Sequence, residues 1–200
     1  MNYDSILKNE LDMVIMVTGI SCSGKTTLAK KLGERYGYSV LSLDDYKVEL
    51  YEKYGFLNET ERCNLWDTAR NLFCADIIKR CRGGEAFIVE YPFDYTWREF
   101  FDYLKEQYET TLFVVNCNSR SFNDIWNSRV MRDGSLNDEV RPLCLTASKY
   151  IKDSVYESNE KLNTNYKGKK HAEYMDGKYT CIVGDYVVSD DVLKSELGMV

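Results

Sequence analysis

"VTGISCSGKTTLAKKLGERYG", residues Val17 to Gly37, is the stretch that settles the fold. Within it Gly19, Gly24, Lys25 and Thr26 satisfy G-x-x-x-x-G-K-[ST], a pattern that about one random chain of this length in a hundred contains by chance. Glycines let the backbone wrap an anion closely, with successive N–H groups turned inward, and the N-terminus of the helix that follows adds a favourable dipole. Gly19, Ser21, Cys22, Ser23, Gly24, Lys25, Thr26 and Thr27 are therefore the expected contacts to a nucleotide, ATP, through its phosphates. Lys25 supplies a point charge to the terminal phosphates, and Thr26 a hydroxyl ligand for the Mg²⁺ that bridges phosphate oxygens. Cys22 reads as a small loop-filling residue and not as a nucleophile.

Working outward, "MVIMV" (Met13 to Val17) is an unbroken apolar run, as expected of a strand buried on both faces of a parallel sheet. Similar runs follow at Ser39–Leu43, Ala86–Glu90, Thr111–Cys117 and Tyr179–Val183. Between them Leu28, Leu32 and Tyr36 share a helical face, and Leu65, Ala69, Leu72 and Asp76 begin another. Asn58 with Glu61, Thr96 with Glu99 and Ser121 with Asp124 have capping-box spacing. The alternation predicts an α/β protein with three α/β/α layers around a five-stranded, mainly parallel sheet. No linker or repeat divides the 200 residues, so a single domain over 1–200 is expected, with loops at 133–142 and 163–171.

Composition narrows the function classes. A net charge of −6 disfavours general nucleic-acid binding, which needs a basic face. Seven cysteines without a C-x-x-C pair suggest neither a disulfide framework nor structural zinc, and the single histidine, His171, makes a histidine triad or metal site improbable. No apolar run reaches the roughly 18 residues of a membrane helix, and the first apolar run has no basic segment before it. A cytoplasmic protein is the expectation.

A bound triphosphate needs an acceptor. "LSLDDYK" places Asp44 and Asp45 just beyond the second strand, at the sheet edge where α/β sites lie. Asp44 is the expected acceptor-side base, positioning a hydroxyl or taking its proton, and Asp45 the helix-start charge. Glu90 ends the third strand directly after four apolar residues, where burial without a nearby cation is costly. It is the expected carboxylate for Mg²⁺, met through water, with contact to the acceptor as the alternative. The aromatics Tyr91, Phe93, Tyr95 and Trp97 that follow serve either as a wall for a planar substrate or as packing under the sheet edge.

"GISCSGKTT", "LSLDDY", "VEYPF" and "RSFNDIWNSRVMRD" together resemble the small P-loop kinases of the nucleoside/nucleotide-kinase superfamily. These include uridine and nicotinamide riboside kinases, chloramphenicol phosphotransferase and zeta-toxin-like kinases. The likeness covers most of Met13 to Val183 and is nearest to bacterial P-loop ATPase or kinase proteins. It implies a lid around residues 120–145 whose Arg129 and Arg132, three apart on one helical face, close over ATP; Arg120, Arg141 and Lys167–His171 are weaker candidates. Tyr91 stands where uridine-type kinases have glycine, and no Asp-Arg pair follows that strand, so the acceptor is open. The implied activity is transfer of the γ-phosphoryl group to a small-molecule hydroxyl. The rivals are an ATP-responsive module without turnover and a kinase of nucleotide sugars or nucleic-acid 5′ ends.

Overall fold

The computed structural model describes residues 3–9, 12–19, 23–117, 184–196 and 198. The expected lid, Ser121 with Asp124, the 133–142 and 163–171 loops and the run Tyr179–Val183 lie outside them, as do Arg120, Arg129, Arg132, Arg141, Ser21 and Cys22. The elements run α1 (Tyr3–Asn9), β1 (Met13–Thr18), α2 (Lys25–Tyr36), β2 (Ser39–Ser42), α3 (Leu43–Tyr54), α4 (Glu59–Arg82) and β3 (Phe87–Glu90). A 3-10 turn (Tyr95–Trp97), α5 (Arg98–Tyr108), β4 (Thr111–Asn116), β5 (Tyr186–Ser189) and α6 (Asp190–Glu196) complete the described chain. Its residues gather into two compact units. The first takes the described residues to Ser42, from Cys74 to Cys117 and from Gly184 onward; the second takes Leu43–Phe73.

The first unit is built on a five-stranded sheet in the order β2-β3-β1-β4-β5, parallel at every pairing. Four of its strands are the apolar runs expected from the sequence; the fifth described strand is Tyr186–Ser189. Residues of both parities are fully buried on the central strands, Val14 and Met16 as well as Ile15 and Val17, so both faces are covered. On one face Ile15, Val17, Ile88, Phe113 and Val115 form a core with Leu28, Ala29 and Leu32 of α2, Leu7 of α1 and Leu193 of α6. Each fully buried leucine there contributes roughly 1.5–3 kcal/mol. Because α2 presents Leu28 and Leu32 to this face, its N-terminus is delivered to the end of β1, the central strand.

Two local readings change. Thr96 does not cap α5: the residue before the helix is Trp97, without a side-chain cap bond. The Thr96 N–H and hydroxyl donate instead to Asp94 Oδ1, at 2.9 and 2.5 Å, a local turn that outcompetes the cap. In α4 the buried positions are Ala69, Phe73, Ile77 and Cys81, whereas Leu72 is 49% exposed. The face follows a strict four-residue repeat from Ala69, which moves it one residue round from the Leu65–Leu72 stripe.

The second unit contains α3 and the first half of α4. Tyr51 and Phe56 pack edge to face, with Val48 and Leu65 against them, and Tyr46 meets Phe73 similarly. Here the capping box forms as expected: the Glu61 N–H donates to Asn58 Oδ1 at 2.9 Å, and the Asn58 amide donates to Glu61 Oε1 at 3.0 Å.

Strand β5 is fastened to β4 by Asp185. Its carboxylate accepts from the Leu112 N–H at 2.8 Å and from Lys105 at 2.6 Å, and its own N–H donates to the Leu112 carbonyl. Burial works to raise the Asp185 pKa, but the Leu112 N–H and Lys105 outweigh it and hold the carboxyl below its usual range. A depressed carboxyl stabilises the fold above its unfolded pKa of about 3.9 and loses that contribution as the pH falls through the folded value. Asp185→Asn is therefore expected to cost about 1 kcal/mol at pH 7, after allowance for solvent screening. Denaturant unfolding should show the gap to wild type narrowing below pH 4; an equal gap at pH 7 and pH 3 contradicts this account.

Candidate functional site

Beyond β1 the chain turns at Gly19, whose φ is +132°, and a Cβ there would lie 2.5 Å from the carbonyl oxygen of Cys117. That residue follows β4, the neighbour of β1 in the sheet, so a glycine is the one residue that fits. Gly24, at φ +92° and immediately before α2, holds a left-handed conformation. Between these turns Ser23 is buried, and its hydroxyl has no hydrogen-bond partner among the described residues. Lys25 begins α2 and is only 6% exposed, a buried cation at a helix N-terminus. Thr26 and Thr27 are exposed beside it. Glycine turns, an unpartnered buried donor and a buried ammonium at a helix start fit an anion such as a polyphosphate.

Glu90 ends β3 and is 3% exposed. Its register partners are Val17 on β1 and Ser42 on β2, and period-two alternation from Ile88 puts it on the face covered by α2. The Ser42 hydroxyl donates to Glu90 Oε2 at 2.8 Å, with both groups buried. Among the described residues no three His, Cys, Asp or Glu side chains gather to hold a metal ion. Glu90 and Thr26 would thus be a sparse protein donor set for Mg²⁺, completed by phosphate and water oxygens, a pattern that suits this cation.

The far side of the cradle is electrostatically dense. Burial, then the nearby Asp190 carboxylate, push the Cys117 thiol up to about 12, with Lys25 and Lys194 opposing and Glu90 adding to the rise. One buried sulfur thus feels Lys25, Glu90 and Asp190 together, and it stays a neutral thiol at physiological pH. Asp190 opens α6 fully buried, with Lys194 one turn on at 2.7 Å.

The structure brings Gly19, Ser23, Gly24, Lys25, Thr26, Thr27 and Glu90 into the first unit. Asp44 and Asp45 belong to the second. Both lie just beyond β2, which stops at Ser42, and are exposed in the first turn of α3, where acidic side chains suit the helix dipole. Asp44 pairs with Lys47 one turn on. Within the aromatic run Phe93 and Trp97 pack: both are buried, and the rings of Tyr91, Phe93, Trp97 and Phe101 meet mainly edge to face, while Tyr91 is only partly buried. Sequence reasoning missed Ser42, Cys117 and Asp190. For Asp190 a signal existed, since "VVSDD" repeats the pattern of "LSLDD", a short run closed by serine or leucine and then two aspartates.

Residues 14–118 match the AAA_33 family, described as an AAA domain, and the chain belongs to that family. The parallel sheet and the glycine loop at the end of its central strand are the fold and phosphate-binding loop of a P-loop protein. Of the solved structures, a "putative kinase" from Chloroflexus aurantiacus J-10-fl shares the fold at TM-score 0.56 and 22% identity, over 60% of this chain. The alignment spans 66% of that protein's length. Shikimate kinase from Acinetobacter baumannii in complex with shikimate aligns at TM-score 0.48 and 17% identity, over 98% of this chain and 97% of its own. Gluconokinase from Sinorhizobium meliloti 1021 aligns at TM-score 0.44 and 18% identity, over 84% and 96%. None of the curated proteins matches the chain. Among the described residues no helix is long and apolar enough to cross a membrane.

The cradle's dependence on a bare Cα at residue 19 is open to test. Gly19→Ala forces a Cβ against the Cys117 carbonyl in a backbone region that side chains rarely adopt. It should cost at least about 2 kcal/mol in denaturant unfolding and abolish binding of a fluorescent ATP analogue. Wild-type stability and binding in this variant would remove the close approach from the argument.

Proposed function

We propose that this protein is a kinase that uses ATP and Mg²⁺ to phosphorylate a hydroxyl of a small molecule. The observation that carries the reading is the pair of opposite buried charges at one end of the sheet, Lys25 at the start of α2 and Glu90 at the end of β3. A cation at a helix start beside positive-φ glycine turns suits a polyphosphate, and a carboxylate at the end of the neighbouring strand suits its hydrated metal. When bound, Mg·ATP supplies the phosphoryl group. Lys25 would hold terminal phosphate oxygens, the loop amides would cradle the rest, and Thr26 and Glu90 would hold the hydrated metal. Asp44 orients the acceptor hydroxyl or takes its proton. A single domain over residues 1–200 whose lid, around 120–145, carries Arg129 and Arg132 completes the proposal.

Acceptor-dependent ADP release, screened over pooled nucleosides, vitamins, sugars and antibiotic alcohols, tests the activity. ATP binding without turnover on any acceptor would favour a regulatory module, and turnover on nucleic-acid 5′ ends a different substrate class. With an acceptor in hand, Lys25→Ala should lower kcat at least about a hundredfold. Wild-type turnover in that variant at saturating Mg·ATP would end the cradle assignment.

Asp44→Asn should reduce acceptor phosphorylation by about 10²- to 10⁴-fold with nucleotide affinity nearly unchanged. Asp45→Asn should cost at most about 1 kcal/mol of stability and leave kcat alone. Inactivity of Asp45→Asn beside a normal Asp44→Asn would exchange the two roles, and full activity of both would remove them from the site.

A further inference from the structure

The hydrogen bond between Ser42 and Glu90 has a direction. In the order β2-β3-β1, Ser42 stands on one side of Glu90, and β1, which launches the glycine loop, on the other. The register aligns Ser42 with Glu90, and the pleat turns both side chains to the α2 face, where Val40 and Ile88 precede them. The hydroxyl donates to Oε2 at 2.8 Å across a buried contact. The bond holds Oε2 from the β2 side, in a place where little water is available to stabilise another rotamer.

We infer that Ser42 is a positioning residue, whose hydroxyl holds the Glu90 carboxylate in the orientation that a hydrated divalent cation at the cradle requires. The inference rests on the proposed kinase reading, in which Glu90 serves the metal. Mg²⁺ demands near-octahedral geometry and keeps several of its waters, so a carboxylate that meets it through water must present one oxygen within a narrow range of angles. With no three metal-binding side chains gathered among the described residues, the aim of this one carboxylate carries more weight than in a site built from several. Hydrogen-bond partners of metal-site carboxylates typically govern 10- to 100-fold in metal affinity.

The test is a Mg²⁺ titration of fluorescent ATP-analogue binding to the full chain, run for wild type, Ser42→Ala, Ser42→Thr, Glu90→Gln and the Ser42→Ala/Glu90→Gln double variant. Ser42→Ala should raise the half-saturating Mg²⁺ concentration about tenfold and leave binding in EDTA unchanged. Ser42→Thr, which keeps the hydroxyl, should restore the wild-type requirement. In the Glu90→Gln background Ser42→Ala should add nothing, because the group it acts through has lost its charge. Should Ser42→Ala fail to fold, Ser42→Cys keeps the volume, weakens the donor and carries the same expected rise. If Glu90→Gln raises the Mg²⁺ requirement and Ser42→Ala does not, the positioning role alone is overturned. If Glu90→Gln changes nothing, the metal role of Glu90 falls and takes the inference with it. A Ser42→Ala effect that persists undiminished beside Glu90→Gln, that Ser42→Thr fails to rescue, or that appears equally in EDTA makes Ser42 a packing residue and overturns the proposal.

Discussion

Everything at this site depends on one close approach: the backbone at Gly19 passes so near the Cys117 carbonyl that no side chain fits between them. The approach follows from β1 and β4 running parallel in register, Thr18 beside Asn116, so that the chain leaving one strand must cross the end of the other. It fixes where the loop starts, and the packing of Leu28 and Leu32 against the sheet fixes where the loop ends. Lys25 is thereby held buried at the start of α2.

Much of this was legible in the sequence, for physical reasons. An unbroken apolar run can hardly be anything but a strand covered on both faces, and four such runs became β1 to β4 within a residue or so. The glycine spacing carried the loop, because its cause is steric and local. What the sequence could not give was registration. That Ser42 faces Glu90 depends on β2 lying next to β3 and not next to β1, which no pattern within either run records. The misjudged cap at Thr96 has a similar cause: two local partners competed for one threonine, and the nearer, Asp94, won.

The charges deep in the first unit also balance one another. Lys25 and Lys194 lower the cost of a thiolate at Cys117 while Asp190 and Glu90 raise it, and with burial added the thiol remains neutral. A buried thiol held neutral is a poor nucleophile.

Thr18, the last residue of β1, is buried, and its hydroxyl accepts from the Phe93 N–H at 3.0 Å and faces the Phe93 carbonyl at 3.4 Å. Valine has almost the same shape and would satisfy the apolar pattern of the strand, yet it would strip both backbone groups of that partner. The position is therefore polar in function and hydrophobic in appearance. Serine would keep that partner and valine would remove it, so the demand on this strand end runs opposite to the one its hydropathy advertises.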